Sequence, residues 1–255
     1  MDILICIVAG LGAGLGTGFA GMSAAAVISP MLITFLGMDP YLAVGVALAS
    51  DVLASAVSAG TYAKNKNIDI KNGLIMMAAV LCFTLVGSYV ASLVPKTAMG
   101  SFSTVMTLLL GIKFIVKPVV APKARFQNST PKQKAVRSLI CGAAVGFICG
   151  FIGAGGGMMM LLVLTSVLGY ELKTAVGTSV FIMAATALTG SVSHFAIGGM
   201  PDIKALVICV VSTLVFALIA SVIANKVSAK TLNRATGVVL VILGAAILAV
   251  NFLNG

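Results

Sequence analysis

The chain has 255 residues, of which 60% are hydrophobic and only 9% charged, too little polar surface for a soluble globular domain. Its 16 Lys and Arg outnumber 6 Asp and Glu, but they sit between apolar blocks; that sets nucleic acid aside as a partner and points to orientation in a bilayer. Continuous apolar runs of about 20 residues exclude a β-barrel, whose short strands alternate, and leave an all-α integral membrane protein.

In chain order, the apolar blocks predict helices within 3–36, 41–62, 72–93, 98–117, 138–168, 174–197, 205–224 and 235–252. The opening Met1-Asp2-Ile3 lacks the positive region of a cleavable signal, so the first block reads as part of the fold. Block 3–36 is too long for one crossing, since its helix would run ~50 Å against a ~30 Å hydrocarbon core. Gly21-Met22-Ser23-Ala24-Ala25 lies near its middle. A break there, with Ser23 capping a following helix that contains Pro30, exposes backbone N–H groups suited to an anion. Met22, Ser23, Ala24 and Ala25 are therefore candidate substrate-binding residues. The ladder Gly10, Gly14 and Gly18 fits close helix packing.

Block 41–62 carries Asp51, a carboxylate in the middle of an apolar segment, where a charge is costly and marks a functional site. Ser55, Ser58 and Tyr62 follow it at i+4, i+7 and i+11 on one helix face. Ser50 joins the substrate-binding candidates; Asp51 and Tyr62 are candidates for carrying a coupled proton. The alternative for Asp51 is a neutral, hydrogen-bonded packing residue. Residues 118–137 are the one strongly polar stretch and read as a basic cytoplasmic linker between a first repeat, 1–117, and a second, 138–255.

The two halves match at an offset of 132. Gly10, Gly14, Gly18, Phe19 and Gly21 fall on Gly142, Gly146, Gly150, Phe151 and Gly153; Leu32, Leu36 and Gly37 fall on Leu164, Leu168 and Gly169; Ala43-Val44-Gly45 falls on Ala175-Val176-Gly177. Asp69-Ile70-Lys71 meets Asp202-Ile203-Lys204 after a slip of one. Internal repeats of this kind point to a transporter with its site where the repeats meet. The second half places Gly153-Ala154-Gly155-Gly156-Gly157 at the break, a run that no ordinary helix interior tolerates. These five residues, with Thr178 and Ser179, complete the substrate-binding candidates. His194 is the only histidine, falls on Tyr62 in the repeat, and is the third proton-coupling candidate. It also stands near a helix end, where water can satisfy it.

Five cysteines lie inside apolar blocks without a CxxC and read as small buried hydrophobes. There is no HExxH, no GxSxG and no paired carboxylate, so an enzyme is not expected, nor a cofactor or metal.

Charge decides between two topologies. If each long block crosses once, Lys96, Lys173, Lys226, Lys230 and Arg234 fall outside. If each folds back as a hairpin, only Lys96 and Lys204 do, which the positive-inside rule prefers. The hairpin reading gives each half an odd number of membrane segments. The fold is then two inverted repeats, each a broken or re-entrant helical hairpin followed by three transmembrane helices, with both termini outside.

The glycine hairpin, Gly37 and Gly169, the run Ala175-Val176-Gly177-Thr178-Ser179, Asp69 and Gly199-x-x-Asp202 resemble the TauE/SafE family of sulfite and organosulfonate permeases along essentially the whole chain. The family's glycine motif ends in Pro and is split here. The first half keeps Pro30 but has Ser23-Ala24-Ala25 in place of glycines; the second keeps Gly155-Gly156-Gly157 but has Leu162 in place of Pro. The resemblance implies proton-coupled export of a small anion such as sulfite or sulfoacetate across the cell inner membrane. The expected partners are that anion, protons, the bilayer and a second copy of the chain in a homodimer. An anion channel and a non-transporting membrane partner protein are the alternatives.

Overall fold

The computed structural model describes residues 2–92, 108, 112, 115–116, 130–152 and 156–254. Among them there is no strand. The helices are α1 (Asp2–Ala20), α2 (Ala25–Leu36), α3 (Pro40–Lys64), α4 (Ile70–Ser92), α5 (Pro131–Ile152), α6 (Gly156–Ser166), α7 (Leu172–Gly198), α8 (Ile203–Lys226) and α9 (Ala229–Asn254). Five of these hold segments long and apolar enough to cross a membrane: Asp2–Ala20, Tyr41–Lys64, Ile70–Gly87, Leu172–Ala196 and Ile203–Lys226. The expected block 98–117 and most of the 118–137 linker lie outside the described residues; α5 begins at Pro131, inside the basic stretch.

The first long block is broken; in the second, residues 153–155 lie outside the described residues. With 12 residues, α2 is too short to cross alone, since a helix rises ~1.5 Å per residue against a ~30 Å core. α2 is capped by Gly37 at φ 60°, and Gly169, three residues past the end of α6, takes φ 67°, both in the left-handed region. The next amide then turns back onto the short helix: Met38 N–H donates to the Leu32 carbonyl and Tyr170 N–H to that of Leu164, positions 132 apart in both cases. The repeat seen in the sequence is thus a repeat of local backbone geometry. α3 starts on Asp39, whose carboxylate accepts from the Tyr41 and Leu42 amides, with Pro40 in the first turn.

The glycine ladders set which helices touch. α1 lies on α8, and α5 lies on α4. A Cβ on Gly14 would stand 2.6 Å from the Thr213 carbonyl oxygen, and one on Gly18 2.5 Å from Ala220 Cβ. In the other pair, a Cβ on Gly142 would stand 2.7 Å from the Met76 carbonyl and one on Gly146 2.5 Å from that of Val80. Residue numbers rise together in both pairs, so each pair is parallel. Each ladder therefore packs against the opposite half of the chain. Lipid tails are as apolar as leucine, so helices meet here through small residues and close backbones rather than through hydrophobic burial. α8 shows this division: Ala205, Cys209, Thr213, Ala217, Ala220, Ser221 and Ala224 are buried, whereas Ile203, Val207, Val211, Val215 and Leu218 are exposed.

Gly14→Val is accordingly expected to destabilise the detergent-solubilised protein by about 3 kcal/mol or more, because only backbone displacement relieves the overlap. Thermal melting checks this; a stability equal to wild type would mean that α1 and α8 do not meet at that spacing.

α3 and α7 pack antiparallel at the centre. Gly45 faces His194 and Phe195 at one end, and Gly177 faces Tyr62 and Asn67 at the other. Near the second end, polar bonds join the halves. Asn67 donates to Asn225, Lys173 Nζ donates to the Asn225 carbonyl at 2.9 Å, and the Asp69 amide donates to Thr178 Oγ1.

Candidate functional site

The break between α1 and α2 is assembled from backbone groups that must be satisfied without water. Gly21 takes φ 60°, and its amide still reaches back to the Thr17 carbonyl. The carbonyls released at the end of α1 find side chains. Thr17 Oγ1 donates to Met22 O at 3.0 Å, Tyr62 OH donates to Gly18 O at 2.9 Å, and Ser179 Oγ donates to Gly21 O at 2.9 Å. Tyr62 comes from α3, and Ser179 comes from α7 in the other half. A Cβ on Gly21 would lie 3.0 Å from Ser179 Cβ, so glycine serves there for both conformation and space.

Donors collect on the other side of the break. Ser23 Oγ accepts from the Ala25 amide at 3.3 Å, as a cap does at a helix start. The Ser23 side chain and the Ala24 amide both bear on the carboxyl group of Asp51. Asp51 is completely buried in α3, and its Oδ1 accepts from Ser55 Oγ at 2.8 Å. Its Oδ2 has no partner at hydrogen-bonding geometry among the described residues, and neither has Ser58 Oγ. The face Asp51, Ser55, Ser58 and Tyr62 is buried along its whole length.

The sequence-derived candidates therefore divide. Met22, Ser23, Ala24, Ala25, Asp51, Tyr62 and Ser179 come together around the first break, all buried. Ser50 is buried but donates to the Val46 carbonyl of its own helix. Thr178 is drawn to the Asp69 amide instead. His194 stands at the opposite end of α7, with Nδ1 3.1 Å from the Tyr41 carbonyl and its ring 4.1 Å from that of Tyr41. Gly153, Ala154 and Gly155 lie outside the described residues; Gly156 and Gly157 form the first turn of α6.

Two things were missed from the sequence. Thr17 closes the first break, and Asp69 ties the halves together. Asp69 Oδ2 accepts from Tyr170 OH at 2.6 Å and from Asn72 Nδ2 at 2.7 Å. Burial alone would push this carboxyl up, but the Tyr170 and Asn72 donors and the Lys134 charge outweigh it and hold Asp69 below the usual carboxylate range. The Tyr170 phenol is pushed up by burial and by its carboxylate partner. The signal was the match of Asp69 to Asp202, which marked the position but not its partner.

Tyr170→Phe is expected to cost about 1–2 kcal/mol at neutral pH, the worth of a hydrogen bond to a charged group discounted for partial exposure. Because the folded carboxyl is depressed, the contribution is present above the ordinary Asp range and is lost as pH falls through the folded value. Melting curves of wild type and variant should therefore converge in acid; a difference that persists there would assign the loss to packing.

Comparisons with known proteins give one answer. A family model described as sulfite exporter TauE/SafE matches residues 6–247. The chain is similar to the probable membrane transporter protein YunE of Bacillus subtilis, 27% identical over 97% of this chain and 98% of that protein. It is also similar to the probable membrane transporter protein YdhB of the same organism, 23% identical over 87% and 90% of the two chains.

Proposed function

That the chain belongs to the sulfite exporter TauE/SafE family, and so is a multi-pass membrane transporter, is the premise from which we propose its cargo and its coupling. The cargo is a small anion, sulfite or an organosulfonate such as sulfoacetate, exported across the inner membrane together with a proton. The observation that carries this reading is the first helix break. It lies where α7 of the second half meets α1, is lined by hydroxyls and amide donors, and has a fully buried carboxyl group beside it. Donors at a helix start suit an oxyanion, and a titratable carboxyl beside them suits a proton.

The two halves form inverted repeats, with the basic linker in the cytoplasm and both termini outside. Three observations support this. α3 and its counterpart α7 run antiparallel, the two ladder contacts are reciprocal, and loops 65–69 and 167–171 share one end with the start of α7 and the end of α8. Lys64, Lys66, Lys173 and Lys226 thereby gather on one side, as the hairpin charge count requires. Reporter fusions are expected to place the C-terminus outside and residue 125 inside; a cytoplasmic C-terminus would restore single crossings and parallel halves.

Flux in proteoliposomes tests the function. Sulfite and sulfoacetate are expected to move saturably and faster under a pH gradient, with taurine and thiosulfate as comparison solutes. Flux that neither saturates nor responds to the gradient would make the protein a pore. No flux of any solute by the folded protein would make it a partner of some other transporter.

A further inference from the structure

Two features coincide at the start of α2. The helix opens with donors at Ser23 and Ala24 that bear on the Asp51 carboxyl group, and one oxygen of that group, Oδ2, is fully buried and has no partner at hydrogen-bonding geometry among the described residues. A helix start surrounded by amide and hydroxyl donors is an anion site. Here the nearest anion is supplied by the chain itself. Deepening the reading of the protein as an anion transporter, we propose that the Asp51 carboxylate is an internal anion seated at the start of α2. Cargo oxyanion and ionised Asp51 exclude one another there, and protonation of Asp51 is what opens the place to cargo.

The surroundings of Asp51 support exchange rather than pairing. The groups that bear on it are Ser55, Ser23 and the Ala24 amide, with no charged side chain among them. On the helices packed against α3, Cys6 of α1 and Cys209 of α8 contact each other, and His194 of α7 is held at Tyr41. Lys173, Lys204 and Lys226 stand at the ends of α7 and α8. The carbonyls of Gly18, Gly21 and Met22 already accept from Tyr62, Ser179 and Thr17, so they are not a ready cage for a metal ion. In the repeat, Asp51 falls on Met183, so the second half carries no such internal anion on the matching helix. One cargo oxyanion taken up at this place then accompanies one proton gained by Asp51, and both leave together.

Binding of sulfoacetate to the purified protein in nanodiscs tests this, because both acid groups of the probe stay ionised from about pH 5.5 to about pH 8.5. Wild-type affinity is expected to fall about tenfold per pH unit once Asp51 is ionised, by linkage. Asp51→Asn and Asp51→Ala should bind at the alkaline end as tightly as wild type at the acid end, with no slope. Anion addition at the alkaline end should also bring up the infrared carbonyl band of a protonated carboxyl in wild type only. An Asp51→Ala protein that binds more weakly than wild type at every pH would make Asp51 a ligand rather than a competitor, and overturn the proposal. An unaltered slope in the variants, or a slope that appears with sodium and not with potassium, would overturn it too. Any of these leaves anion transport standing, whereas failure of wild type and both variants to bind sulfoacetate or sulfite at any pH removes both readings.

Discussion

Asp51→Asn is expected to abolish accumulation of cargo in response to a pH gradient while leaving exchange of labelled for unlabelled cargo in place. Asn keeps the size and the hydrogen-bonding reach of Asp but carries no titratable proton. One pH unit is worth about 1.4 kcal/mol per coupled proton, enough for roughly tenfold accumulation when one proton moves with each anion. The wild-type ratio should approach that figure, and the variant ratio should stay near one. Counterflow needs binding and alternation but no net proton movement, so it separates loss of coupling from loss of the protein. Accumulation that survives in Asp51→Asn would make Asp51 structural and move the proton to His194, the next candidate. The placement of the two residues argues for Asp51, since it faces a helix break while His194 rests on a backbone carbonyl at the far end of α7.

Gly156→Leu is expected to reduce transport by an order of magnitude or more while the protein still inserts and melts as a folded species. Two effects compete. Leucine is the better helix former by about 1 kcal/mol, so local propensity favours the variant. Gly156 opens the described part of α6, however, within a run of glycines that lets a ligand approach backbone, and a side chain there fills that space. Blocking a ligand's approach outweighs a gain in propensity when transport is the readout. Normal flux by a stable Gly156→Leu protein would assign the glycine run to helix packing. The contrast with Gly14→Val is diagnostic, because Gly14 lies against the backbone of α8 and its replacement should damage the fold itself.

The sequence by itself determined the helical class, five apolar spans and the glycines at which the chain turns after α2 and α6. Length and hydropathy are local, and a bilayer leaves helices as the answer to a long apolar run. Gly37 and Gly169, matched in the sequence, adopt the same left-handed turn because each half solves the same local problem. Asp51 was visible as a charge in an apolar block. Only the tertiary structure decided what these residues face. The ladders fitted packing from the start, yet nothing local said that α1 would lie on α8 and α5 on α4. The helix face beginning at Asp51 was legible, but not that it turns toward Ser23 and Ala24, nor that Ser179 crosses from the other half to the Gly21 carbonyl. Ser179 and Thr178 are neighbours with the same chemistry, and they serve opposite neighbourhoods, the break and Asp69. The physical reason is that helix partners in lipid are chosen by the fit of small residues and the satisfaction of polar groups across the interface, and both depend on residues more than a hundred positions apart.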